Sequence, residues 1–304
     1  MNLGDITVDI CICTYRRAHL TETIRSLSKI YLRPGWKIRV IVADNDETPS
    51  ARMMAEAAAR ECSLTLTYLH APARNISIAR NACLDAARAP LLAFIDDDET
   101  ATPVWLDALV KTLENEKADI VLGPVRAVYG RDAPEWMKKG DFFSSKPVWV
   151  NNEIRTGYAG NVMLRRSAPG LQGLRFRREL GRTGGEDSMF LYAAYKGGAR
   201  IAYAQEAIVN EPVPAERARM QWLLKRKFRS GQTHGLFLLE NSDSGLSIRL
   251  KNVGMASAKA MFCFAAALPN AARAERFRFW LLRGAMHAGV VARLLGKREI
   301  EQYG

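Results

Sequence analysis

A chain of 304 residues has room for one large domain or two smaller ones, and 48 % apolar with 25 % charged residues excludes a disordered or fibrous protein. The net charge of +12 sits almost wholly at the back: residues 215–304 hold 16 Lys and Arg against 6 Asp and Glu, leaving 28 against 26 for residues 1–214. A cationic tail interleaved with apolar stretches, and no nucleic-acid motif beside it, points away from nucleic acid and towards an anionic membrane face.

The opening MNLGDITVD lacks the charged-then-apolar pattern of an export signal. Five cysteines, odd in number and scattered through apolar or helical stretches, are expected as free buried thiols in a reducing, cytosolic compartment. Cys11 and Cys13 are expected on opposite faces of their strand, a poor geometry for zinc or redox work.

In chain order, ITVDICICTY (6–15) predicts a strand and AHLTETIRSLSKI (18–30) a helix through Leu20, Ile24 and Leu27. WKIRVIVADND (36–46) is a second strand ending in acids, 51–62 a helix, and LTLTYLH (64–70) a third strand. SIARNACLDAAR (77–88) predicts a helix with Ser77 as its N-cap. LLAFID (91–96) is a fourth strand, and a helix over 103–115 follows with Thr102 as cap and Pro103 first. DIVLGPVRAVY (119–129) is a fifth strand. Strand and helix in alternation with short links mean a mainly parallel sheet covered on both faces, with ligands beyond the carboxyl ends of the strands. Asp44, Asp46 and Asp96 to Asp98 all fall at those ends.

From about 130 the alternation breaks. Residues 130–160 read as a long working loop in which Trp136, Trp149 and Tyr158 either stack on a ligand or fill the core. A short strand (161–166), a helix (188–198), more strand (200–213), a helix (216–240) and one or two helices over 246–296 complete the chain. The apolar run 253–268 carries Lys259 and is short for a membrane span. The division expected is a catalytic domain over 1–215 and a basic helical extension over 216–304. The extension either lies on a membrane, through residues 273–298, or packs on the domain or another subunit.

Two stretches carry chemistry. Three consecutive aspartates, Asp96, Asp97 and Asp98, place hard oxygen donors at a strand end, which suits Mg²⁺ or Mn²⁺ held with substrate phosphates. Acids before a helix N-terminus are the alternative. In GRTGGEDSMFLYAAY (181–195), two glycines let a ligand come close to Glu186 and Asp187, where a carboxylate can take a proton from an attacking alcohol. Simple helix capping competes with that role. His234 is read as a surface or packing residue.

The order VDICICTYRR (8–17), VADND (42–46), ARN (79–81), FIDDDE (94–99) and GGED (184–187) resembles family 2 glycosyltransferases with the GT-A fold, and looks closest to bacterial exopolysaccharide enzymes of the succinoglycan glucosyltransferase type. The resemblance spans residues 6 to about 235. It implies that Thr14 and Tyr15 flank uracil and that Asp44 accepts its N3–H. Arg80 contacts the nucleotide with Arg74 as a second candidate, Asp97 touches the ribose, and Asp96 joins this cofactor-binding set. Asp98 ligates the metal, Asp187 is the base of an inverting mechanism, and Glu186 stands beside it on the acceptor side.

The histidine that reaches the metal in many relatives is missing from IVNEPV (208–213), where Asn210 or Glu211 would substitute. Arg226, Arg229 and Gly231 resemble a diphosphate-binding motif of processive relatives, but the QxxRW pattern is absent, implying single addition. The implied reaction takes a sugar from a nucleotide donor, UDP-glucose first, to a polyprenyl-diphosphate-linked oligosaccharide, with peripheral inner-membrane association.

Asp96, Asp98 and Thr100 also satisfy the opening motif of haloacid-dehalogenase-like phosphatases, though there it belongs to the first core strand. A non-catalytic membrane-bound scaffold is a further alternative, whose signature would be loss of Asp98 or Asp187.

Overall fold

The computed structural model describes residues 5–241 and 245–300, which form two compact units. Among these residues, unit 1 takes 5–127 and 144–212, and unit 2 takes 128–143, 213–241 and 245–300.

The front of the chain follows the alternation read from the sequence. It runs β1 (Thr7–Thr14), α1 (Leu20–Leu27), β2 (Lys37–Asp44), α2 (Arg52–Glu61), β3 (Leu66–His70), α3 (Ile76–Ala86) and β4 (Leu91–Ile95). After β5 (Thr100–Ala101) and α4 (Trp105–Asn115), the expected fifth strand divides into β6 (Ile120–Leu122) and β7 (Val125–Tyr129). The break falls at Gly123-Pro124, where proline has no N–H to continue a ladder. Then come α5 (Glu135–Gly140) in unit 2 and the short hairpin β8 (Trp149–Val150) and β9 (Glu153–Ile154). The expected loop over 130–160 is therefore a helix and a hairpin divided between the two units. β10 (Asn161–Arg165), α6 (Glu186–Lys196), β11 (Ile201–Tyr203) and β12 (Val209–Val213) follow.

Seven strands make one sheet in the order β11-β6-β10-β4-β1-β2-β3, all parallel except β10, which runs against β4 and β6. A small sheet, β5-β12-β7, lies apart from it in the pairing order. Along β1, Val8, Ile10 and Ile12 belong to the core shared with α1, α2 and α4, and Cys11 and Cys13 to the core shared with α3 and α6. Residues two apart on a strand share a face. Cys11 and Cys13 therefore both meet the core that holds Cys83, correcting the expectation of opposite faces; all five cysteines are free thiols.

Two expected caps differ. Asn75, not Ser77, caps α3 by accepting from the Ile78 N–H at 3.3 Å, while Ser77 is the second residue of the helix and donates to the Arg177 carbonyl at 2.8 Å. α4 begins at Trp105, and Thr102 donates its hydroxyl to the Ile208 carbonyl at 2.9 Å instead of capping.

Unit 2 holds α7 (Met220–Asn241), α8 (Leu246–Ala267) and α9 (Ala274–Leu294) together with α5. α9 packs against both α7 and α8. Gly231 on α7 abuts the Met286 carbonyl and Gly289 on α9 abuts the Phe228 carbonyl, so the two backbones meet where a Cβ has no room. Arg278 on α9 lies 4.5 Å over the Trp136 ring of α5, which anchors residues 128–143 to this unit. No helix among the described residues is long and apolar enough to cross a membrane.

Candidate active site

Parallel pairing of β1 with β2 and β4 brings Thr14, Asp44 and the aspartates after Ile95 to one edge of the large sheet. Thr14 donates to Asp97 Oδ2 at 2.7 Å, and Thr23 on α1 donates to the Asp97 carbonyl at 3.1 Å. Arg17 spans the next two carboxylates, 3.6 Å from Asp97 and 3.4 Å from Asp98. Loss of water and the charge of Asp98 push Asp97 up to about 7, against the pull of Arg17 and Thr14. Glu99 is buried, accepts the Asp96 amide at 3.0 Å, and is pushed well up by burial, Asp96 and Glu211.

The GGED stretch reaches the same place. Gly184 and Gly185 have φ of 80° and 85°, a left-handed conformation that side chains resist, and α6 starts immediately after them. Its first residue, Glu186, is buried and paired with the Arg80 guanidinium, which also lies 3.5 Å from Asp96. Burial opposes the charge on Arg80, but Glu186, Asp96 and Asp187 hold its pKa above the ordinary arginine value. The guanidinium also sits 5.5 Å over the Phe176 ring, itself stacked on Phe190 at 4.1 Å. Asp96 is raised by loss of water, countered by Arg80 and raised further by Asp98 and Asp187, so the two acidic motifs share one electrostatic field. Asp187 accepts the Ser188 amide at 2.6 Å. Ser188 in turn donates to the Gly157 carbonyl at 3.1 Å and accepts from Thr156 at 2.8 Å. Those bonds fasten the start of α6 to the 155–160 segment, where a Cβ on Gly160 would lie 2.8 Å from Glu99 and 2.9 Å from Asp96.

Each residue of the ARN motif has a task. Ala79 is fully buried, Arg80 joins Glu186 to Asp96, and Asn81 clamps the backbone of Phe176 with two bonds of 2.8 and 2.9 Å. The sequence alone marked the motif without its third member's role.

Beside Thr14 in the β1–β2 register, Asp44 holds local backbone. Its carboxylate accepts the Asp46 amide at 3.0 Å, the Ala51 amide at 2.8 Å and the Tyr68 hydroxyl at 2.5 Å. It fixes the turn into α2 and is wholly buried, with one bond on Oδ1 and two on Oδ2. The neighbouring Asn45, 4 % exposed, has a buried Oδ1 with no hydrogen-bond partner. Sequence reasoning passed over this residue, since nothing in VADND marks the amide as unpartnered. Arg74 donates its amide to the Asn45 carbonyl at 3.2 Å and lies 6.0 Å from the Tyr15 ring. Arg16 sits 5.3 Å over that ring and pairs with Asp46, whose carboxyl it holds down at about 2.

Other expected residues fall elsewhere. Tyr158 donates to the Gly123 carbonyl at 2.6 Å, and Trp136 lies under Arg278 in unit 2, so of the three aromatics Trp149 alone, half exposed against Tyr203, presents a free face. Arg226 stacks over Phe143 and Trp222, and Gly231 serves the α7–α9 contact, both within unit 2. His234 is exposed on α7, and loss of water together with Lys259 lowers its pKa.

The donor set suits a divalent cation. Asp96, Asp97, Asp98, Glu99, Asp187 and Glu211 form a chain of mutually acting acids, and burial and repulsion raise Asp96, Asp97 and Glu99. Among the described residues no three such groups form a ready metal cage. Mg²⁺ and Mn²⁺ need none, since one or two carboxylates plus substrate phosphates hold them.

The model of "Glycosyl transferase family 2" matches residues 9–169. The chain belongs to glycosyl transferase family 2. It is 51 % identical over 300 residues, 98 % of this chain and 96 % of the relative, to the succinoglycan biosynthesis protein ExoM of Rhizobium meliloti (strain 1021). It is 26 % identical over 245 residues, 74 % of this chain and 75 % of the relative, to the glucosyl-dolichyl phosphate glucuronosyltransferase of Haloferax volcanii. Among solved structures, S. aureus TarS 1–349 in complex with UDP-GlcNAc matches with a TM-score of 0.56 at 18 % identity, covering 91 % of this chain and 90 % of that one. The fold is therefore GT-A-like, and the chain is a glycosyltransferase. The phosphatase alternative falls with the family assignment: three strand–helix steps precede the DxD of this chain.

Proposed function

We propose that this glycosyltransferase moves one sugar, with inversion, from a nucleotide donor to a lipid-linked oligosaccharide of exopolysaccharide synthesis, UDP-glucose being the first donor to try. The observation that carries this reading is the meeting of the Asp96–Asp98 cluster with Glu186 and Asp187 through the buried Arg80. Similarity to ExoM favours the polysaccharide context, and the relative named for a dolichyl-phosphate-linked sugar favours the lipid acceptor. Solved fold relatives carry UDP and UDP-GlcNAc, which favours a uridine nucleotide.

In this reading Tyr15 and Arg74 face the base, and the Oδ1 of Asn45, rather than Asp44, accepts its N3–H. Asp97, held by Thr14, meets the ribose. Asp98, with Asp96, would hold Mg²⁺ or Mn²⁺, which when bound neutralises charge on the departing diphosphate. Arg80 keeps Glu186 and Asp96 in place. Asp187, on a helix start fastened by Ser188 and Thr156, accepts the proton of the acceptor hydroxyl as its oxygen bonds the anomeric carbon. The bond from that carbon to the diphosphate oxygen breaks with its electron pair, and an α-linked donor gives a β-linked product. One base suffices for a good leaving group, unlike the two carboxyls of a hydrolase.

The test is transfer from UDP-glucose to lipid-linked oligosaccharide, with the product anomer read by NMR. A β-linked product, lost by a factor of about 10²–10⁴ in Asp187→Asn, supports the reading. Product of retained configuration, or an Asp187→Asn variant of full activity, refutes it.

A further inference from the structure

Helix α8 is built inside out. Its buried positions are small: Ala256, Ala260, Cys263 and Ala267 face the rest of unit 2. Its large apolar residues point outward, with Leu246 71 %, Leu250 59 %, Met261 66 % and Phe262 64 % exposed, and Leu268 just beyond the helix 73 % exposed. Leu246, Leu250, Met261 and Leu268 are four, eleven and seven residues apart, whole numbers of turns to within a fraction of one, so they form one stripe. The 22 residues of α8 give that stripe a length of about 33 Å. On the adjoining flank, Phe262 meets Trp280 of α9 edge-on at 5.7 Å, and Trp280 meets the exposed Phe279 at 5.4 Å.

A helix normally turns its large apolar residues inward, and an exposed apolar run of this size marks an interaction surface. Charge identifies the occupant. Residues 245–300 hold ten Lys and Arg against Glu275 and Glu299, and α8 itself carries Arg249, Lys251 and Lys259 with no acid at all. Glu299 is already paired with Arg293 at 2.9 Å. A second copy would bring like charges together along the whole stripe, whereas an anionic phospholipid surface answers both the apolar face and its cationic flanks. No described helix is long and apolar enough to cross a bilayer, which leaves a surface contact for this face.

We propose that the outer face of α8, with Phe262, Phe279 and Trp280 at its side, docks on an anionic phospholipid surface with the helix in the headgroup plane. This moves the membrane contact expected over 273–298 onto a different helix, because α9 spends much of its apolar surface between α7 and α8, with Leu282, Val290 and Leu294 buried. The surface belongs wholly to unit 2, and a chain that bound no nucleotide would still carry it.

The experiment is flotation of the full chain with vesicles of phosphatidylcholine alone or with 30 mol % phosphatidylglycerol (about one lipid in three), at low and high salt. Wild type floats with the anionic vesicles at low salt, with at least about tenfold weaker partitioning to neutral vesicles or at high salt. The variant Leu250→Ser, Met261→Ser, Leu268→Ser, altered only at exposed positions, keeps its circular dichroism and loses about tenfold or more of the binding. Lys251→Gln with Lys259→Gln weakens it by about thirtyfold. Failure of wild type to float with anionic vesicles at low salt overturns the proposal, as does undiminished flotation of the serine variant. A dimer in sedimentation equilibrium that the serine substitutions abolish, with no vesicle binding, overturns it in favour of a second copy. UDP binding measured on the same variants keeps this outcome separate from that of the donor reading.

Discussion

Arg80→Met is the substitution that tests how the two acidic motifs are held together. In wild type the guanidinium is 5 % exposed, pairs with Glu186, itself 3 % exposed, and reaches Asp96 at 3.5 Å. Methionine fills a similar volume over the Phe176 ring but leaves the Glu186 carboxylate buried beside Asp96 and Asp187 without that cation. Removing one partner of a buried pair costs about 3–5 kcal/mol. Hydrogen exchange of the β1 and β4 amides reads this loss in unit 1 directly. The loss has a pH signature. The folded variant retains a proton on the stranded carboxylate at pH values where the unfolded chain has released it, so stability rises as pH falls towards the ordinary glutamate value of about 4.3. The deficit against wild type is therefore largest at pH 7–8 and shrinks near pH 5. Arg80→Lys supplies the charge but not the fork that spans two carboxylates, and falls between. In the double variant Arg80→Met, Glu186→Gln most of the cost is recovered, a coupling of about 2 kcal/mol or more. Costs that add to within about 0.5 kcal/mol, or a deficit that ignores pH, refute the reasoning.

Asn45→Ala removes the buried, unpartnered Oδ1 and weakens UDP binding in calorimetry by about tenfold while leaving thermal stability unchanged, the loss of one hydrogen bond. Asp44→Asn, by contrast, lowers stability first, because the carboxylate holds two amides and the Tyr68 hydroxyl. Asn81→Ala strands the Phe176 N–H and carbonyl and costs about 2–4 kcal/mol in urea unfolding. Asp9 is buried, but Arg39 and the Ala89 and Arg88 amides outweigh burial and hold its carboxyl below the usual range. A lowered folded pKa gives stability that is present above about pH 4 and lost as pH falls through the folded value. Asp9→Asn is therefore less stable than wild type at pH 7, by about 2 kcal/mol, and the two unfolding curves converge in acid.

Much of the fold was legible because it rests on local pattern. Buried strands alternating with helices and ending in acids point to the parallel sheet, and Asp96–Asp98 fall at the carboxyl ends of its strands. What stayed hidden depends on long-range partners. β10 enters between β4 and β6 from a distant part of the chain, and its run NVMLR carries no mark of being antiparallel. The run 119–129 reads as one strand, so neither the split of β6 from β7 at Gly123-Pro124 nor its consequence, a second sheet, was expected. Sequence cannot display the three donors that meet Asp44, nor the unpartnered Oδ1 of Asn45 beside it. In ARN, Arg80 stood out by charge, whereas Asn81 acts through backbone groups 95 residues away. On α8 the apolar run 253–268 reads only as short for a membrane span; the fold shows which side faces out.

The central claim is that the three aspartates meet a cation carrying a nucleotide diphosphate. Calorimetric titration of UDP, with and without Mn²⁺, into wild type and Asp98→Ala tests it most directly. The account predicts binding that needs Mn²⁺ in wild type and is lost in the variant with its fold intact. UDP binding that is indifferent to Mn²⁺, or retained in Asp98→Ala, contradicts it.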